Sequence, residues 1–163
     1  MPRAVKVKFH EIIEIVLKHE GGYVNDPDDP GGETKYGISK RSFPQYDIKA
    51  LSEDDAKDIY KRHYWEPSKA EKLPDHLKMD YFDMVVNSGQ GNAVKVLQGA
   101  VNNSPGDKIA VDGRIGPQTI KASKGLDLMR FRAYRVLYYA KLIIKKPTLE
   151  KYWFGWFKRS LQV

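Results

Sequence analysis

Residues 9–39 read FHEIIEIVLKHEGGYVNDPDDPGGETKYGIS, and the change of pattern inside this stretch decides the fold. Phe9, Ile12, Ile13, Val16 and Leu17 recur at spacings of three and four, which places them on one face of an amphipathic helix. Carrying the period on, the next inward position is Glu20. Gly21-Gly22 then stops the helix, since glycine readily takes the left-handed cap. From Tyr23 to Ser39 the period is lost among two Pro, three Gly, one Asn and three Asp, which predicts turns and a short hairpin. A carboxylate thus sits at the last turn of a buried helix, directly before an irregular loop.

Helical signals dominate on the far side of that loop. Ser52-Glu53-Asp54-Asp55 is a capping-box start for a helix running to about Tyr64, before Pro67. A third helix follows Pro74, with Leu77, Tyr81, Phe82, Val85 and Val86 inward, and ends near Gly89. A fourth spans about residues 92–101, Pro117 opens a fifth, and a long basic helix covers about residues 126–145 before Pro147. Leu149, Tyr152, Trp153, Trp156 and Phe157 stripe a last one. The fold class expected is mainly α with a short irregular β-hairpin insert after the first helix.

The 163 residues carry a net charge of +7, and that charge is unevenly spread. Residues 1–90 hold 14 basic and 17 acidic side chains, whereas residues 91–163 hold 14 basic and only 4 acidic ones. The basic half predicts a polyanionic partner, and the acidic half is where carboxylate chemistry can reside. Cysteine is absent, which removes disulfides, thiolate metal sites and a cysteine nucleophile. No apolar run approaches the ~20 residues of a bilayer span, and Lys and Glu interrupt any signal-peptide core near the start. His10, His19, His63 and His76 lack metal-ligand spacing, and there is no nucleophile elbow or phosphate-cradling loop. Neither metal nor cofactor is expected.

Glu20 is the leading chemical candidate, because a carboxylic acid partly withdrawn from water suits general acid catalysis. A plain helix-end glutamate is the alternative. Asp26, Asp28 and Asp29 supply second carboxylates, although Asp before Pro also serves turns. Two carboxyls flanking one bond is the arrangement of glycoside hydrolysis. Arg130, Arg132, Arg135 and Lys141 of the basic helix form either a solvated face or a polyanion contact, and the aromatic, basic C-terminus packs as core or touches sugars or a membrane.

Glu20 to Pro27, Asp29 to Gly32, Thr34 and Tyr36-Gly37-Ile38 resemble the signature of the glycoside hydrolase family 108 N-acetylmuramidases, as do Leu73-Pro74-Asp75 and Phe82 to Gly89. Leu97-Gln98 and Val111 to Thr119 resemble that family's peptidoglycan-binding part. The resemblance implies a lysozyme-like fold that cleaves the β-1,4 bond between N-acetylmuramic acid and N-acetylglucosamine. It implies a muramidase region at residues 1–90 and a basic peptidoglycan-binding region at 91–163, packed as one unit. It puts the catalytic acid at Glu20. Phage-type lysozymes, a related fold, separate this Glu from an Asp by eight intervening residues and that Asp from a Thr by five. Here the intervals are eight and four, which implies Asp29 as the charge-stabilising or base partner and Thr34 as the residue holding water, with Asp26 the alternative second acid. Substrate contacts are implied at Tyr23, Asp26, Tyr36, Asn87, Asp112, Gly113 and Arg114. The expected partners are peptidoglycan glycan strands and an anionic envelope surface, not nucleic acid, with the chain a monomer. Such an endolysin is made in the host cytoplasm and reaches the periplasm after holin-like release. Rival readings are a lytic transglycosylase and a non-catalytic peptidoglycan-binding or secretion-associated protein.

Overall fold

The computed structural model describes residues 6–27 and 31–162, which form two compact units, residues 1–67 and 68–163. In the first, α1 (Phe9–His19) buries Ile12, Ile13, Val16 and Leu17, the stripe read from the sequence. Each such side chain contributes about 1.5–3 kcal/mol on burial. β1 (Thr34–Lys35) and β2 (Ile38–Ser39) pair antiparallel, Thr34 opposite Ser39 and Lys35 opposite Ile38. Val24 forms a further antiparallel bridge to Thr34, so the chain after α1 runs back along the hairpin. The hairpin is held by Lys35, whose Nζ donates to the carbonyls of Leu51 (2.7 Å) and Lys49 (3.0 Å).

α2 (Glu53–Tyr60) starts on the expected capping box: the Ser52 hydroxyl accepts from Asp55 N (3.1 Å), and Asp55 Oδ2 accepts from Ser52 N (2.9 Å). The helix then widens into a π-turn, Lys61–Trp65. Lys57 ties α2 to α1 through Glu14 at 2.5 Å, and Trp65 meets the ring of Phe9 at 5.4 Å. Ile38, Phe43, Ile48, Leu51, Ala56, Ile59 and Tyr60 complete this core.

Among the described residues, the regular elements of the second unit are all helices, joined by irregular turns. α3 (Asp75–Ser88) packs against α4 (Gln90–Asn102) and α6 (Leu128–Lys145); α5 (Pro117–Ser123) packs on α4, and α7 (Trp153–Gln162) on α6. A 3-10 segment, Pro147–Tyr152, joins α6 to α7 where a single last helix was expected. Neighbours on several sides bury polar as well as apolar positions of α3: Lys78, Asp80 and Asp83 are as enclosed as Leu77 and Phe82, while Val86 is only half-buried.

Those aspartates decide the fate of the basic helix. Arg135, wholly buried, donates through Nη1 to Asp80 Oδ1 (2.8 Å) and through Nη2 to Asp83, while its Nε makes no hydrogen bond. Arg132 grips both Asp80 oxygens (2.8 and 3.1 Å), and Arg159 of α7 donates to Asp83 Oδ1 (2.7 Å). Arg132 and Arg135 are therefore neither a solvated face nor a polyanion contact: they join α6 to α3, because a buried carboxylate without a cation would be costly. Among the described residues no helix is long and apolar enough to cross a membrane.

Candidate active site

The first unit gathers its chemistry around the end of α1. The helix stops one residue earlier than its periodicity suggests: Glu20 is the C-cap, extended at φ −92°, ψ 133°, with its N–H donating to Leu17 O at 3.2 Å. The expected left-handed glycine cap is not formed, since neither Gly21 nor Gly22 has positive φ. Extended backbone suits the bridge that follows, in which Val24 and Thr34 exchange two hydrogen bonds of 2.8 Å and Tyr36 N donates to Gly21 O at 3.1 Å. Glu20 is thereby half-buried rather than enclosed on the inner face of the helix.

Pairing of Thr34 with Ser39 and Lys35 with Ile38 leaves Tyr36 and Gly37 as the hairpin's central residues, at φ 52° and 75°. A two-residue hairpin loop with both φ positive matches the right-handed twist of its strands. For tyrosine this conformation is strained, and such strain concentrates at functional sites. The wholly buried Tyr60 secures it by donating its hydroxyl to Tyr36 O at 2.8 Å.

Gly37 is where the site closes. A β-carbon added there would lie 2.5 Å from the Tyr60 oxygen and 2.7 Å from Glu20 Oε2. The carboxylate of Glu20 and the hydroxyl of Tyr60 thus converge on one Cα that has no room for a side chain. Tyr64 stands beside Tyr60, ring centroids 5.2 Å apart, and its phenol is pushed above the ordinary tyrosine pKa first by burial and then by the negative charge of Glu20. The π-turn that carries Tyr64 is itself a feature found often at functional sites. Sequence reading missed Tyr60, Tyr64 and the steric role of Gly37. The four-residue spacing of the two tyrosines on a helix with a clear start was the signal available.

Thr34 begins β1, and its hydroxyl donates to Gly32 O at 3.3 Å. Tyr23 donates to Glu33 Oε1 at 2.8 Å, which raises the tyrosine's pKa. Asp26 is exposed in the turn, and Asp29 lies outside the described residues. Asn87 belongs to the second unit, exposed on α3 with Nδ2 donating to Asp83 O at 2.8 Å.

In that unit the Val111–Thr119 turn is wound around buried Gln98. Its Nε2 faces Asp112 Oδ1 (2.9 Å), Thr119 Oγ1 (3.1 Å) and Arg114 O (3.3 Å), and its Oε1 accepts from Gly113 N (3.0 Å). Hydrogen bonds from Arg114 N and then Gln98 hold the Asp112 carboxyl below the usual range. Gly113 has φ 75°, and a β-carbon added there would lie 3.1 Å from Gly91 O. Asp112 and Arg114 line a groove of about 350 Å³ together with Ile109, Pro117 and Gln118.

Comparison with known proteins supplies the context. Residues 13–89 match the family model of glycosyl hydrolase 108, and residues 92–161 match that of a predicted peptidoglycan domain. No curated protein matches the chain. A solved structure, that of Brucella abortus SagA, superposes with a TM-score of 0.74 at 29% identity, covering 93% of this chain and 88% of that one. The family boundary between residues 89 and 92 differs from the division at residue 67, because α3 packs with the helices that follow it.

Proposed function

We propose that this chain, whose residues 13–89 belong to the glycosyl hydrolase 108 family and residues 92–161 to the predicted peptidoglycan domain family, is a peptidoglycan hydrolase of the N-acetylmuramidase type acting through Glu20. The bond cleaved is the β-1,4 link from N-acetylmuramic acid to N-acetylglucosamine. The observation carrying this reading is the convergence of the Glu20 carboxylate and the Tyr60 hydroxyl on Gly37.

Glu20 protonates the glycosidic oxygen as the bond to the muramyl C1 opens toward an oxocarbenium-like state. Its position supports that role: the side chain is half-buried, and it reaches from the extended cap of α1 to the hairpin at Gly37. Asp29, or Asp26 in its place, is the second carboxylate, stabilising the developing positive charge or activating water. Thr34 holds that water. Tyr23, Tyr36 and Asn87 are proposed as contacts to the strand, and Asp112, Gly113 and Arg114 as contacts of the peptidoglycan domain, an assignment supported by the groove that Asp112 and Arg114 line. The reading extends to an endolysin role, which lysis from within on co-expression with a pore-forming holin would test.

The deciding measurement is clearing of purified Gram-negative sacculi by wild type and Glu20→Gln, with mass spectrometry of the products. The expected result is reducing muramyl ends from wild type and none from the variant. Anhydro-muramyl ends would transfer the protein to the transglycosylases, and clearing by folded Glu20→Gln would remove Glu20 as the acid.

A further inference from the structure

We propose that the end of the second unit where α6, the 3-10 segment and α7 meet is a docking surface for an anionic phospholipid bilayer. Large apolar side chains stand in water there: Ile144 is 79% exposed, Phe154 71%, Tyr152 48% and Phe157 39%. The 3-10 segment packs on both helices, which brings these four residues to one end of the bundle. α7 is fastened from its other side, by Trp156 stacked on Tyr139 (5.0 Å), by Arg159 on Asp83 and by buried Ser160. Its outward face presents Phe154, Phe157 and Lys158.

Charge selects the occupant. Lys141, Lys145, Lys146, Lys151 and Lys158 belong to the same segment as the apolar residues, and Glu150 is the one acid between residues 141 and 163. Among the described residues none of these five lysines has a carboxylate partner, in contrast to Arg132, Arg135 and Arg159. Two of the ammonium groups lie over the exposed rings themselves, Lys158 Nζ 5.3 Å from the centre of Phe154 and Lys151 Nζ 5.1 Å from that of Tyr152.

A second copy would bring the same positive charge against this one. A glycan strand needs fixed amide and carboxylate partners for its hydroxyls, yet residues 141–159 contain no Asn, Gln or Asp. A bilayer bearing phosphate headgroups satisfies both components: the rings and Ile144 enter the boundary between headgroups and acyl chains, and the ammonium groups meet phosphates. Nothing in this surface depends on the hydrolysis proposed for Glu20.

The test is flotation of the full-length protein with vesicles of phosphatidylglycerol and phosphatidylethanolamine, beside vesicles of phosphatidylcholine alone. Wild type and Glu20→Gln should float with the anionic vesicles only, and release with added salt. Lys145→Glu with Lys146→Glu should weaken partitioning by about fivefold or more per lysine. Phe154→Ser and Ile144→Ser, both at exposed positions, should each lose binding several-fold while melting as wild type and clearing purified sacculi at the wild-type rate. Absence of flotation, or equal flotation with neutral vesicles, overturns the proposal. So does binding unaffected by both serine variants, which reduces the effect to charge. A concentration-dependent dimer abolished by Phe154→Ser would assign the patch to a second copy. Loss of sacculus binding by the serine variants equal to their loss of vesicle binding would assign it to the glycan.

Discussion

Two sets of acidic side chains, one in each unit, show how one functional group is put to opposite uses. Asp80 and Asp83 lie wholly inside the second unit, and three guanidinium groups meet their oxygens. Glu20 is half-buried at a helix end, where a tyrosine hydroxyl and a side-chain-free glycine face it. The oxygens of the aspartates are taken up by guanidinium groups from α6 and α7, so they hold helices together. The glutamate, the proposed acid, is held by shape beside the hairpin. Burial alone therefore does not mark a catalytic acid. The identity of its neighbours does.

The largest expected effect breaks the comparison on the first side. Glu20→Gln should reduce sacculus clearing by roughly 10²–10⁴-fold with an unchanged urea midpoint, since only proton donation is lost. On the second side the signature inverts: Arg135→Ala should destabilise by about 3–5 kcal/mol, because two buried carboxylates lose a cation. Urea titration measures this loss, and a stability change under ~1 kcal/mol would show that the network is not the clamp described.

Intermediate effects sharpen the geometry around Glu20. Gly37→Ala must hold a β-carbon at φ 75° within 3 Å of Tyr60 and Glu20, so it should lose about 1–2 kcal/mol from backbone strain and, beyond that, displace the carboxylate and lower clearing. Tyr60→Phe removes the bond to Tyr36 O and should cost about 0.5–1.5 kcal/mol, with activity falling by less than in Gly37→Ala. Measuring stability and clearing together separates the two variants.

The smallest effect is in acid. The Ser52 hydroxyl, then its N–H, hold the Asp55 carboxyl below its ordinary range. The unfolded chain then takes up this proton at higher pH than the folded one, so the contribution is present above the ordinary carboxylate range and fades as pH falls through the lowered value. Ser52→Ala should flatten that part of the stability curve, read by thermal melting across acidic pH, and leave neutral-pH clearing unchanged.

Much of this was legible in residues 9–39. The stripe on α1, the hairpin after it and the position of Glu20 follow from local periodicity and turn chemistry. Helix starts at Ser52 and Pro117 were equally plain, because caps are local. The extended cap at Glu20 was not, since it follows from the bridge between Val24 and Thr34 ten residues away. Nor was the π-turn after Tyr60, where composition does not distinguish it from ordinary helix.

The basic half shows the same division more sharply. Its excess of lysine and arginine is a property of composition, visible at once. Which of those charges face outward is not: Arg135 is buried on two aspartates more than fifty positions earlier, whereas Lys158 lies over an exposed ring. By itself the sequence determined the order of helices and hairpin, the family, and the carboxylate to suspect, because these depend on neighbours within a few residues. Tertiary structure alone decided that Tyr60 and Gly37 frame Glu20, and that arginines clamp α3 while lysines and bare aromatics remain in water. Those outcomes depend on which distant groups packing brings within reach of one another, and on the cost of leaving a buried charge unanswered.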